Sequence, residues 1–181
     1  MEKIEHESLE AADARKQSHL DLAFSSQSSV IDQRFYYEPM LSGFPDKDEK
    51  ITTKLGDKTM NYPIWISSMT GGTSKAGPIN KMLAKTANKY GFGMGLGSCR
   101  MILEDDSYFE DFNLRPILGD AVPFYANVGI AQIELILKNN QAKKLNDLVE
   151  KLSADGLIVH VNPLQEWLQP EGDRIEQSPL V

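Results

Sequence analysis

Cysteine is almost missing from this chain of 181 residues, where Cys99 is the only one. No disulfide within the chain and no cysteine-built zinc site can follow from a single thiol, and a reducing compartment fits. Long apolar runs are missing too, since no stretch reaches the roughly 18 consecutive apolar residues that a membrane-crossing helix needs. The acidic opening MEKIEHESLE has neither the basic nor the apolar region of a signal peptide. The expected location is cytoplasmic, with no membrane partner. Basic charge is in deficit, with 19 Lys and Arg against 26 Asp and Glu and a formal charge of −7. That balance opposes general binding to a nucleic-acid backbone, so a phosphate ligand must meet a local cluster of cations.

What is there is ordinary for a globular protein: 41% hydrophobic and 25% charged residues, enough to bury one core. The segment SLEAADARKQSHLDLAF (8–24) reads as an exposed helix with Ser8 as N-cap, carrying Arg15, Lys16 and His19. Serines between 25 and 29 break it. ITTKLGDKTMNYP places two β-prone runs around Gly56-Asp57, a tight hairpin with positive φ at the glycine.

Four strand candidates follow: NYPIWISSM, FGMGLGSC, PFYANVGI and GLIVHVNPL. They recur at intervals of roughly 30 residues, the length of one βα unit. Between the first two, Ile79, Met82, Leu83, Thr86, Ala87 and Tyr90 follow one helix face, closed by Gly91. The connection LEDDSYFEDFNLRPILGD is acidic and less periodic. The next holds AQIELILKNN and AKKLNDLVEKLSA, with Leu145, Leu148, Val149 and Leu152 on one stripe. Both connections read as surface helices. Strands alternating with helices imply a parallel sheet with right-handed crossovers, an α/β fold.

An open doubly wound sheet and a (β/α)8 TIM barrel both satisfy this pattern. Polar residues cluster where the strands stop, as barrel active sites require, and favour the barrel. Such a barrel needs about 250 residues and eight strands, whereas four are counted here, so a truncated, split or partial protein is expected. Residues 1–59 then form a helix-and-hairpin extension and 60–181 the first half of the barrel.

Several motifs have two readings. In GFGMGLGSCR the alternating Gly91, Gly93, Gly95 and Gly97 strip one strand face, either for a flat ligand or for close packing. MTGGT offers backbone N–H groups for an anion near a helix start, or is simply a tight turn. His160 and Asn162 share a strand face in an apolar run that should be buried, and so need polar partners; with Asn127 they suggest a shared polar cavity. Glu166, after Gln165, either holds Mg²⁺ against a phosphate or is a solvated loop carboxylate. Arg15, Lys16 and His19 are either a phosphate patch or a solvated helix face. The acidic run Glu104-Asp105-Asp106 reads as a solvated loop.

Taken together, RKQSHL, IWISSMTGGT, GMGLGSCR, ANVGIAQ and HVNPLQEWLQPEGD resemble, in order, the signatures of the type 2 isopentenyl-diphosphate isomerases. The likeness runs from about Arg15 to Asp173 and covers the first half of the family's chain. It implies an FMN-dependent barrel enzyme that converts isopentenyl to dimethylallyl diphosphate in isoprenoid biosynthesis, with Mg²⁺, and with NADPH to reduce the flavin. It further implies that Met69, Thr70, Gly71, Ser98 and Asn127 contact FMN. Arg15, Lys16, Ser98, Arg100 and Gln165 would bind the diphosphate substrate, His160 and Asn162 would border it, and Glu166 would ligate Mg²⁺. A homo-oligomer, tetramer or octamer, is part of the same expectation. Cys99 departs from the pattern, standing where a longer residue such as glutamine is expected. The competing expectations are a different FMN-dependent oxidoreductase on the same scaffold, and an inactive half-barrel fragment whose unpaired sheet edges self-associate.

Overall fold

The computed structural model describes residues 9–25, 40, 43, 46, 47, 49, 51–68, 71, 73, 75–170 and 172–175, with the backbone alone for 9–15 and 19. The first helix, α1, spans Leu9–Ser25, matching the sequence reading; its expected cap, Ser8, lies outside the described residues. Leu20 turns inward at 4% exposure. Strands β1 (Thr53–Leu55) and β2 (Lys58–Met60) form the expected antiparallel hairpin. Gly56 takes φ +58°, the conformation that lets a two-residue turn follow the twist of its strands.

The main sheet is parallel, in the order β3 (Trp65–Ile66), β4 (Gly93–Gly95), β5 (Phe124–Gly129) and β6 (Gly156–His160). All four fall within the strand candidates. Spatial order follows chain order, with no reversal among these strands. Helix α2 (Ala76–Tyr90) makes the first crossover and stops at Gly91, whose φ of 73° serves the left-handed cap. The short helices α3 (Phe109–Phe112) and α4 (Arg115–Leu118) make the second, and α5 (Ile130–Lys138) and α6 (Lys143–Lys151) the third. Helix α7 (Pro163–Leu168) follows β6, with proline at its first position, where the missing N–H costs nothing.

Register gives the sheet two unlike faces, because side chains alternate along each strand. Met94, Leu96, Phe124, Ala126 and Val128 turn one way, into a core shared with Ala84, Phe112, Leu118, Leu148 and other helix residues. Trp65, Gly93, Gly95, Tyr125, Asn127 and Ile158 belong to the other face, since Trp65 pairs with Gly93, Gly95 with Tyr125, and Asn127 with Ile158. Near the strand starts this second face is filled by aromatic side chains, Trp65 meeting Tyr125 edge-on at 5.8 Å. Further along it turns polar.

Three sequence expectations need correction. In α2 the buried residues are Ala76, Gly77, Asn80, Ala84 and Ala87, while Met82 and Tyr90 are 59% and 45% exposed. The helix approaches its neighbours through small side chains: a Cβ on Gly77 would lie 2.2 Å from Asp111 Oδ1, and Asn80 Nδ2 donates to the Asp111 carbonyl at 3.0 Å. The second connection is no surface layer, because Phe112, Leu114 and Leu118 are wholly buried. The β6 run is only half-buried near its start and exposed at Val159 and His160, for among the described residues β6 has a strand neighbour on one side alone. The stripe on α6 holds, with Leu148 and Leu152 buried and Leu145 packed against the core.

The run Glu104-Asp105-Asp106 is exposed, as expected. It is also tied down, since Lys144 pairs with Glu104 and Lys151 with Asp106, and Asp105 accepts from the Ser107 N–H and hydroxyl. Those Ser107 bonds hold the Asp105 carboxyl below its ordinary value. No helix among the described residues is long and apolar enough to cross a membrane.

Candidate functional site

At the C-terminal ends of the four strands lies a cavity of about 310 Å³. Each strand end contributes to it: Ser68 after β3, Gly97 and Ser98 after β4, Asn127 and Gly129 on β5, and His160 on β6. Asn127, only 4% exposed, sits on the aromatic face of its strand and brings a neutral amide to the cavity floor.

The β4 end shows how local chemistry places a side chain. Ser98 caps a 3₁₀ turn over Cys99–Ile102, its hydroxyl accepting the Arg100 N–H at 3.4 Å. Cys99 turns into the core with no exposure, which anchors the turn and leaves Ser98 and Arg100 on the cavity side. Cys99 is therefore no contact residue. Burial pushes its thiol up to about 12, against the smaller opposing pull of the Asn127 backbone N–H and the Lys16 charge.

Opposite stands α7. The Asn162 side-chain amide donates to Gln165 Oε1 at 3.2 Å and to Glu166 Oε1 at 3.1 Å, so the residues following β6 form one polar group with Glu166 facing the cavity. Lys16 reaches the same cavity from α1, half-buried. Lys16 and Arg100 as cations stand with Glu166 and Asp173 as anions, a local balance unlike the acidic chain as a whole.

Of the residues expected from the sequence, Lys16, Gly71, Ser98, Arg100, Asn127, His160, Asn162, Gln165 and Glu166 all line this one cavity. Met69 and Thr70 lie outside the described residues, as do the side chains of Arg15 and His19. The glycines of GFGMGLGSCR part company. Gly91 ends a helix, and only Gly97 lines the cavity. A Cβ on Gly93 would lie 2.2 Å from Trp65 Cε3, and one on Gly95 would lie 2.9 Å from Ile158 Cδ1. At those two positions the stripped face serves packing, because neighbouring side chains already fill it.

Gln132, Gln169 and Asp173 also line the cavity and were not singled out in the sequence. Asp173 Oδ2 accepts from Arg100 Nη1 at 2.7 Å and from the Gln132 side-chain amide, and the Asp173 N–H donates to Glu166 Oε2 at 3.0 Å. Gly129 makes room for Gln132, since a Cβ there would lie 2.3 Å from Gln132 Oε1. A signal was present in the GD pair ending QPEGD, where glycine permits a close turn beside an acid. Among the described residues no group of three or more His, Cys, Asp or Glu is arranged to hold a metal, so Glu166 would need ligands from elsewhere.

No family model matches the chain. It is similar to curated proteins named isopentenyl-diphosphate delta-isomerase: 38% identical over 166 residues to that of Rickettsia felis, covering 88% of this chain and 47% of that protein. The protein of the same name from Pelodictyon phaeoclathratiforme is 34% identical over 165 residues, 88% of this chain and 45% of that one; for Chlorobaculum parvum the figures are 35% over 164 residues, 87% and 45%. The chain thus has homologues bearing this name along most of its length, and spans about half the length of the curated relatives it matches.

Proposed function

We propose that this chain carries one arc of the active site of a type 2, flavin-dependent isopentenyl-diphosphate isomerase, built on the first half of a (β/α)8 barrel. One observation carries the reading: two cations and two carboxylates line one cavity together with the neutral side chains of Ser98 and Asn127, where four parallel strands end. Barrel enzymes keep their sites at that end. Strand order equal to chain order supports a barrel, because a doubly wound sheet reverses at its switch point.

The residues fit the groups this reading calls for. Lys16 and Arg100 suit a diphosphate, the ammonium as a point charge and the guanidinium as a fork. Glu166 is a hard oxygen donor suited to Mg²⁺ shared with that diphosphate, and Gln165 stands beside it. Arg15 belongs with the cations by its place in the chain. Ser98, Asn127 and Gly71, with Met69 and Thr70, would hold FMN, for the buried Asn127 amide offers both a donor and an acceptor to a flat polar ring.

Reduced FMN supplies proton donor and acceptor chemistry for moving a double bond, and NADPH serves only to reduce it. The chain's own residues would fix the diphosphate with two cations and a shared metal ion, place the alkene by that anchorage, and border it with His160 and Asn162. No net electrons move, which separates this reading from an oxidoreductase on the same scaffold.

Exposed apolar side chains following β6, which has one strand neighbour among the described residues, support the half-barrel part of the proposal. Val161, Leu164, Trp167 and Leu168 are 52%, 65%, 80% and 69% exposed, apolar surface that more of a barrel, or another copy in a homo-oligomer, would cover.

The test is a visible absorption spectrum of the purified chain after loading with FMN and removing the excess. Retained flavin, lost in Asn127→Ala, supports the site. Isomerisation is then assayed with isopentenyl diphosphate, NADPH and Mg²⁺, and stoichiometric consumption of an oxidant would favour the oxidoreductase instead. A chain that retains no flavin and isomerises nothing, alone or joined to a relative's second half, would sink the reading.

A further inference from the structure

Asp173 reaches the cavity from the loop after α7, and the loop is shaped to deliver it. A Cβ on Gly172 would lie 1.7 Å from the Glu166 carbonyl oxygen, so only glycine lets the chain lie this close to α7. The Gly172 N–H donates to the Gln169 carbonyl at 3.1 Å, closing the turn. A second cavity of about 620 Å³ lies against the same loop, shared by Glu166, Gln169 and Asp173 but lined also by Trp167 and Arg174. Asp173 lines both cavities, and polar bonds hold it in place.

Those bonds join two parts of the site that are far apart in sequence. The Asp173 carboxylate takes Arg100 Nη1 at 2.7 Å and the Gln132 amide, while its backbone N–H holds Glu166 Oε2 at 3.0 Å. We propose that Asp173 is the positioning residue of this anion site, setting the spacing between the cation Arg100 and the carboxylate Glu166. The inference rests on the diphosphate reading above and adds to it a residue that acts through Arg100 and Glu166.

The physical reason is charge. Arg100 and Glu166 line one cavity, where an unrestrained guanidinium and carboxylate attract and pair. Such a pair would consume both the donors meant for a phosphate and the oxygens meant for a metal ion. Among the described residues Asp173 satisfies one arm of the guanidinium and leaves its other nitrogens for a ligand. Its N–H fixes one Glu166 oxygen while Asn162 takes the other at 3.1 Å. One residue holds the two opposite charges apart.

The test is calorimetric titration of the chain with pyrophosphate in excess Mg²⁺, for the parent, Arg100→Ala, Asp173→Ala and the double variant. Each single substitution is expected to weaken binding by about tenfold, the scale of one charge-assisted hydrogen bond. If Asp173 acts through Arg100, the double variant is weaker than Arg100→Ala by no more than about twofold, because coupled sites are not additive. Asp173→Asn, which keeps the shape, the acceptor oxygen and the backbone N–H, should fall between parent and Asp173→Ala while unfolding at the parent's denaturant midpoint. Independent, additive losses in the double variant, or parent-like affinity in Asp173→Ala, overturn the inference and leave the diphosphate reading standing. A parent that does not bind Mg²⁺-pyrophosphate, alone or joined to a relative's second half, removes that reading and the inference with it.

Discussion

Two arginine–aspartate pairs sit at opposite ends of the parallel sheet, and they are built differently. At the strand starts, Arg115 is nearly buried: Nη2 meets Asp155 at 2.9 Å, Nε donates to the Ser153 carbonyl at 2.7 Å, and Nη1 donates to the Gly119 carbonyl at 2.9 Å. Asp155 is occupied in turn, its Oδ2 accepting the Phe124 N–H at 2.8 Å. At the strand ends, the Arg100 side chain is 40% exposed and has Asp173 as its hydrogen-bond partner among the described residues. The first guanidinium is held by backbone carbonyls at Nε and Nη1 and by the Asp155 carboxylate at Nη2, and closes an end of the core, whereas the second is held by one arm over a cavity. The same ion pair is structural where the guanidinium is nearly buried and tied to backbone at two nitrogens, and available for binding where it is half-exposed and held at one.

That contrast can be broken by substitution. Arg115→Ala should cost about 3 kcal/mol in urea unfolding, because it removes the main ion-pair partner of the partly buried Asp155 carboxylate and the donors to the Ser153 and Gly119 carbonyls. Arg100→Ala should cost less than about 1 kcal/mol in the same measurement, being a half-exposed pair, while it weakens pyrophosphate binding. Equal losses of stability would erase the distinction between the two pairs.

A pH-dependent effect sharpens it from the core side. Cys99 keeps its proton to about 12 when folded, against 9.0 unperturbed. The folded state therefore holds the proton while the unfolded state releases it, and stability falls as pH rises from 9.0 toward about 12. Urea midpoints across that range should decline less steeply in Cys99→Ala, and a thiol reagent at neutral pH should label the parent only as fast as it unfolds. Rapid labelling of the native chain would mean that the turn carrying Arg100 opens readily. Smallest of all, Lys151→Ala removes an exposed pair with Asp106 and should change stability by less than about 0.5 kcal/mol.

The strands and the hairpin were legible in the sequence because apolar runs, turn residues and the βα interval all agreed. The buried face of α2 was not. Periodicity weighs hydrophobicity, and so selects Met82 and Tyr90, while close packing selects for small size, which places Gly77, Ala84 and Ala87 inside. Phe112, Leu114 and Leu118 were hidden for a related reason: two helices of one turn each are too short to show a period. At the site, every expected side chain that is described came together at one cavity, because strand ends are where a parallel sheet gathers distant residues. Asp173 escaped notice because its place depends on a loop that folds back over Gly172, and no strand pattern points there.

Spatial order equal to chain order has a consequence for how such a site can change. Ser68, Ser98, Asn127 and His160 stand across the cavity in the sequence in which they are synthesised, each at the end of its own strand. Residue number thus works as a compass bearing around the mouth. A recombination event that exchanges one βα segment replaces a single sector and leaves its neighbours in place, so the binding surface can be rewritten a sector at a time.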